Sequence, residues 1–242
     1  MAIINLSTIA IGTGGFAING ETNASFSGFS VASAGDINGD GLIDLIIGAY
    51  RFNNFTGRSY VVFGKTNNTN VELTAIAAGN GGFAINGQTI NDASGWSVAS
   101  AGDVNADGLA DLIIGAPQLL NGLGHSFVVF GKTSGSAVNL SAVAAGTGGF
   151  IINGEGGADF LGISVASAGD VNGDGLDDLI VGAKRANANT GKSYVVFGKT
   201  SSSAINLTAV ANGNGGFVIN GESTNDRSGN SVSSANTVRH DY

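Results

Sequence analysis

Fifteen residues in three nine-residue stretches have the types and spacing to do chemistry. The first stretch sets Asp36, Asn38, Asp40 and Asp44 at positions 1, 3, 5 and 9, with Gly41 at position 6 and the Leu42 carbonyl at position 7. The second holds Asp103, Asn105, Asp107, Leu109 and Asp111 at the same positions, and the third Asp170, Asn172, Asp174, Leu176 and Asp178. Oxygen-bearing side chains at alternate positions of a tight loop converge on one point, and the glycine allows the sharp turn. That is the ligand chemistry of a hard cation such as calcium, which takes about six to eight oxygens. Three such stretches predict three calcium sites. An Asn/Asp/Gly-rich hairpin turn without metal would use the same residue types, but three copies that keep every ligand position favour the cation.

The stretch resembles the first half of an EF-hand loop and departs from it in its second half. An EF-hand closes on Glu at position 12 between helices. Here position 12 is Ile47, Ile114 or Val181, and Asp at position 9 closes the loop. The flanks read as short strands, so the loop sits in a hairpin. Position 4 is Gly39 and Gly173 but Ala106 in the second copy. If that position needs φ > 0, alanine costs about 1–2 kcal/mol, and the second site is expected to be the weakest.

Of 242 residues, 43% are hydrophobic and only 12% charged, which supports a sizeable core and argues against disorder. There is no Cys, hence no disulfide and no thiolate metal site. The net charge is −8, and nine of the 18 acidic residues stand at loop positions 1, 5 and 9. The acidity is therefore mostly local ligand chemistry, and it argues against nucleic-acid binding. No apolar run is long enough to span a membrane, and the start of the chain does not read as a signal peptide.

The stretches sit in a 67-residue repeat: Phe16, Phe83, Phe150 and Phe217 keep that spacing, as do Gly64, Gly131 and Gly198. Residues 1–242 read as one repeated architecture with no linker and a truncated fourth unit. Each unit predicts four strands, Ser30–Ala34, Asp44–Gly48, Ser59–Phe63 and Phe83–Asn86 in the first, with a turn-like stretch over Val71–Ala78. The middle strands are apolar on both faces and must be covered on both faces. The fold class is therefore all-β, with β-propeller blades of four antiparallel strands. Three blades are complete. A leading strand over Phe16–Asn19 and a trailing one over Ser231–Ala235 are left over. Uncovered faces at both ends predict a homodimer that completes a propeller. In the fourth unit Thr237 replaces the first Asp, and no metal is expected there.

Several stretches together resemble the FG-GAP repeat family of the integrin α-chain β-propeller and of bacterial surface proteins. They are Ser27-Gly28-Phe29-Ser30-Val31, leading into the first loop, and Asp44-Leu45-Ile46-Ile47-Gly48-Ala49. Their copies include Ser94-Gly95-Trp96, Gly115-Ala116-Pro117, Leu161-Gly162-Ile163 and Gly182-Ala183-Lys184. The resemblance covers nearly the whole chain, and the near-identical units look like the bacterial branch. It implies calcium in the hairpin loops and a non-catalytic extracellular module for adhesion or for binding a protein or other ligand. A carbohydrate-binding propeller is the alternative.

Other signals are weaker. Gly64-Lys65-Thr66 lacks the first glycine of a phosphate-binding loop and reads as a strand end. His125 and His240 are the only histidines, and neither belongs to a repeated triad, so no catalytic set is expected. Glu21, Glu155 and Glu222, and Asp92, Asp159 and Asp226, occupy repeated positions that read as solvated loops. Trp96 reads as blade packing near the axis rather than as a sugar-stacking platform.

Overall fold

The computed structural model describes residues 5–120 and 122–234. The repeat sets the architecture. In the first unit Ser30–Gly35 pairs antiparallel with Asp44–Ala49, that strand with Arg58–Val62, and that in turn with Gly82–Asn86. The second unit repeats this with Ser97–Gly102, Asp111–Ala116, His125–Val129 and Gly149–Asn153. The third uses Leu161–Gly169, Asp178–Ala183, Lys192–Val196 and Gly216–Asn220. Each cation-loop stretch links the first two strands, beside a register shift just before the loop: Ser33/Gly35, Ser100/Gly102 and Ser167/Gly169. A bulge there adds twist and re-aims the chain into the loop.

The units are not simple four-stranded sheets. The stretch expected to be a turn over Val71–Ala78 forms a two-residue strand, Val71–Glu72, followed by a one-turn helix, Leu73–Ala77. Its copies Val138–Asn139 and Ile205–Asn206 run parallel to the outer strand of the preceding unit. Among the described residues the three unit sheets therefore have five, five and four strands, and Val71–Glu72 belongs to a separate two-stranded sheet. Two residues are too few to show a period, which is why the sequence does not announce this strand.

The sheets stack face to face in a propeller-like, all-β arrangement. Ile46, Val61, Phe83 and Ile85 of the first sheet meet Leu112, Ile114, Phe127 and Val129 of the second in one buried cluster. Ile113, Val128, Phe150 and Ile152 meet Leu179, Val181, Tyr194 and Val196 of the third in another. Each of these large side chains contributes about 1.5–3 kcal/mol on burial. Between the sheets the backbones touch at glycines. A Cβ on Gly48, Gly115 or Gly182 would collide with the carbonyl of Gly95, Gly162 or Gly229 in the next unit. The Gly of the Gly-Ala element and the Gly ahead of Trp96, Ile163 or Asn230 in the next unit are thus two halves of one contact.

The ends differ from expectation. The leading strand shrinks to Ile18–Asn19, paired in parallel with Val71–Glu72. Phe16 packs against the outer face of the first sheet, with Lys65 Nζ 4.0 Å from its ring centroid. At the other end 231–234 form no strand, since no second strand pairs with them among the described residues. They dock on the third sheet instead, where the Val232 N–H donates to Ser164 Oγ at 3.0 Å. Ala235 and Thr237 lie outside the described residues. Among the described residues no helix is long and apolar enough to cross a membrane.

Candidate cation-binding loops

Each loop is shaped by its own carboxylates. Asp36 Oδ1 accepts the N–H groups of Gly39 (2.8 Å) and Asp40 (3.1 Å), and its Oδ2 accepts that of Gly41 (2.9 Å). Asn38 accepts the Asp40 N–H and donates its amide to Asp40 Oδ2, both at 2.9 Å. Asp40 Oδ1 accepts the Leu42 N–H at 2.9 Å. Asp170, Asn172 and Asp174 repeat this pattern, with Gly173 N–H 2.7 Å from Asp170. Positions 1, 3 and 5 thus stand together on the exposed turn.

Position 9 stands apart. Asp44, Asp111 and Asp178 are 0% exposed. One oxygen of each accepts the N–H of position 2: Ile37 at 3.0 Å, Val104 at 3.0 Å and Val171 at 2.8 Å. The other accepts the N–H of a glycine at the end of the third strand: Gly64 at 2.6 Å, Gly131 at 2.8 Å and Gly198 at 2.8 Å. Burial raises all three carboxyls, backbone N–H bonds oppose it, and neighbouring loop acids add to it; Asp111 is pushed up to about 7.

Position 4 has φ of +75° at Gly39, +77° at Gly173 and +61° at Ala106. The second loop therefore holds an alanine in left-handed backbone. It also lacks a position-4 N–H bond to Asp103, although Asp107 and Gly108 still donate to that carboxylate at 3.2 and 3.0 Å.

Among the described residues no three Asp, Glu or His side chains converge closely enough to enclose an ion. The loops close on side-chain-to-amide hydrogen bonds instead. The donor set still fits a hard cation, because every side-chain donor is oxygen; Asp36 Oδ1 and Asp170 Oδ1 each already accept two amides and would release one to an ion.

Sequence reasoning missed how the Gly-Lys-Thr stretches serve these loops. Besides the glycine bond to position 9, the next residue reaches back to the preceding loop: Lys132 N–H to the Ile37 carbonyl at 2.9 Å, Lys199 N–H to Val104 at 2.8 Å. The 67-residue recurrence of Gly-Lys-Thr was the available signal. Two of the three repeated glutamates are not solvated either, whereas Glu222 is exposed. Glu21 takes Arg58 Nη1 at 2.7 Å and the Tyr60 hydroxyl at 2.5 Å; Glu155 takes Lys192 Nζ and the Tyr194 hydroxyl, both at 2.5 Å. Burial alone would raise Glu155, but the bonds from Lys192 and Tyr194 outweigh it and hold the carboxyl low. Asp92 is buried and accepts the backbone and hydroxyl of Thr89, at 2.9 and 2.6 Å. Asp226 accepts the Ser223 N–H at 2.6 Å in the equivalent turn. Trp96 does pack between units, its ring centroid 4.9 Å from Phe29 and 4.8 Å from Tyr50.

Residues 27–62, 94–129 and 161–196 each match the FG-GAP repeat. The chain is an FG-GAP repeat protein. Each FG-GAP match runs from the approach to the first strand, through one loop, to the end of the third strand. The chain is similar to integrin alpha-5 of Xenopus laevis, 35% identical over 176 residues, which is 68% of this chain and 15% of that protein. Integrin alpha-V of Gallus gallus is 34% identical over 174 residues, again 68% and 15%. Integrin alpha-PS2 of Drosophila melanogaster is 33% identical over 169 residues, 66% of this chain and 10% of that protein. The chain thus spans a small fraction of the length of these relatives.

Proposed function

We propose that this chain is a calcium-binding, non-catalytic, extracellular module for adhesion or ligand binding, built of propeller blades. One observation carries the reading: three loops 67 residues apart keep the same oxygen set on the same hairpin, whereas no other chemistry repeats with them. Asp36, Asn38 and Asp40, their counterparts, and the position-9 aspartates would hold the ions. Bound calcium would neutralise carboxylates that otherwise repel one another. The likeness to integrin alpha chains supports the adhesive role and the cell-surface setting.

Thermal unfolding in calcium and in chelator tests this. Extracellular sites have Kd of about 10⁻⁴–10⁻³ M. A tenfold excess over Kd adds about 1.4 kcal/mol per site, so the melting temperature rises in millimolar calcium. Identical melts in both media would refute it. The lectin alternative draws on the half-exposed ring cluster of Phe26, Phe29, Tyr50 and Trp96. A glycan array that stays blank favours protein adhesion.

We also propose that two copies pair through their end sheets. Phe217 and Ile219 are 40% and 46% exposed, whereas their repeat counterparts Phe83, Phe150, Ile85 and Ile152 are fully buried under the next sheet. At the other end Val31 is 66% exposed where Val98 and Val165 are 6%. A second copy presents the complementary sheet. Light scattering at dimer mass supports this, and a monomer at all concentrations overturns it.

A further inference from the structure

The loops are not isolated. Position 8, between two proposed ligands of its own loop, touches position 1 of the loop before. The Ala110 N–H donates to the Asp36 carbonyl at 3.1 Å, and the Asp177 N–H donates to the Asp103 carbonyl at 3.1 Å. Between loops two and three the link is doubled. Asp177 Oδ2 also accepts the Asp103 N–H at 2.9 Å, which Ala110 has no side chain to do for Asp36. Gly102 makes the room, since a Cβ there would run into the Asp177 carboxylate. Asp177 therefore holds both backbone groups of the first residue of loop two, while its chain neighbours Leu176 and Asp178 belong to loop three.

We propose that Asp177 is a positioning residue that couples cation binding in the third loop to cation binding in the second. This rests on the calcium reading above. An ion in loop three fixes Leu176 and Asp178, hence Asp177, hence the backbone from which the Asp103 carboxylate projects. Loop two then binds its ion more tightly, and by linkage the reverse also holds. The second loop, burdened by Ala106, gains most from such support. Loops one and two share the single bond from Ala110 and couple more weakly.

The test is a calcium titration of the ¹⁵N-labelled chain, read at the amides of Gly41, Gly108 and Gly175, which donate to the position-1 carboxylates of the three loops at 2.9, 3.0 and 3.0 Å. Asp174→Ala removes an exposed ligand from loop three. The Gly108 midpoint should rise about fivefold, and the Gly41 midpoint much less. In an Asp177→Ala background, which leaves only the single backbone bond, adding Asp174→Ala should move Gly108 much less than in the parent chain. Asp177→Asn keeps an acceptor for the Asp103 N–H and should preserve the coupling, which separates positioning from the charge of Asp177. If calcium titrates all three glycines but Gly108 ignores Asp174→Ala, the coupling is overturned and the calcium reading stands. If no glycine responds up to about 10 mM, well above extracellular affinities, both fall.

Discussion

In the first and third repeats a half-buried glutamate gathers a cation and a phenol: Glu21 with Arg58 and Tyr60, Glu155 with Lys192 and Tyr194. In the second repeat the same three positions are Gln88, His125 and Phe127. Gln88 is exposed, Phe127 is fully buried, and His125 Nδ1 has no hydrogen-bond partner. The three differences come as a set because the parts depend on one another. Without the carboxylate, a cation and a phenol in that seam would be left unpaired, and an apolar ring in place of the phenol removes the debt. The loop of the same repeat departs as well, with Ala106 in left-handed backbone. One shared backbone thus tolerates two local solutions, and the second repeat is the one with fewer polar ties.

The largest test of that contrast is removal of the carboxylate. Glu155→Ala leaves Lys192 and the buried Tyr194 hydroxyl without their acceptor and should cost about 2 kcal/mol in chemical denaturation, after allowing for partial exposure of the ion pair. Gln88→Ala should stay within about 0.5 kcal/mol. Equal losses would break the comparison. Next come the loop backbones. A Cβ at Gly173 meets nothing within 4 Å, so Gly173→Ala should cost only the left-handed strain, about 1–2 kcal/mol. Ala106→Gly should recover about 1 kcal/mol and tighten the second site, as measured by denaturation and calcium titration. The smallest effect is on pH. Burial lowers the pKa of His125, with the nearby Asp92 charge and Asn153 opposing it. The unfolded chain then takes up that proton first, so the His125 contribution to stability should fall as pH drops below about 6.5, opposite in sign to that of the raised Asp111 carboxyl. Comparing the pH profiles of the parent chain and His125→Phe should isolate that contribution.

The sequence carried the loops and most of the fold because both are periodic. Strands apolar on both faces, such as Leu45–Ile47, announce a buried sheet, and ligands at positions 1, 3, 5 and 9 recur without a gap. What it hid was either too short or too distant. Val71–Glu72 is two residues long, and its partner Ile18–Asn19 lies 53 positions away. The seam triads were visible only as a joint change of Glu, Arg and Tyr to Gln, His and Phe at one spacing. That position 9 would be wholly buried and held by Gly64, Gly131 or Gly198 needed the third strand in place. Asp177 looked like a spare acid beside a ligand, since its partner Asp103 lies 74 residues back.

If the three loops hold three ions, the ions can be counted. Isothermal titration of the calcium-free chain should give three calcium ions per chain, with the second loop weakest. Asp40→Ala, Asp107→Ala and Asp174→Ala should each remove one ion from the count. A stoichiometry of zero, or one unchanged by these substitutions, would contradict the account.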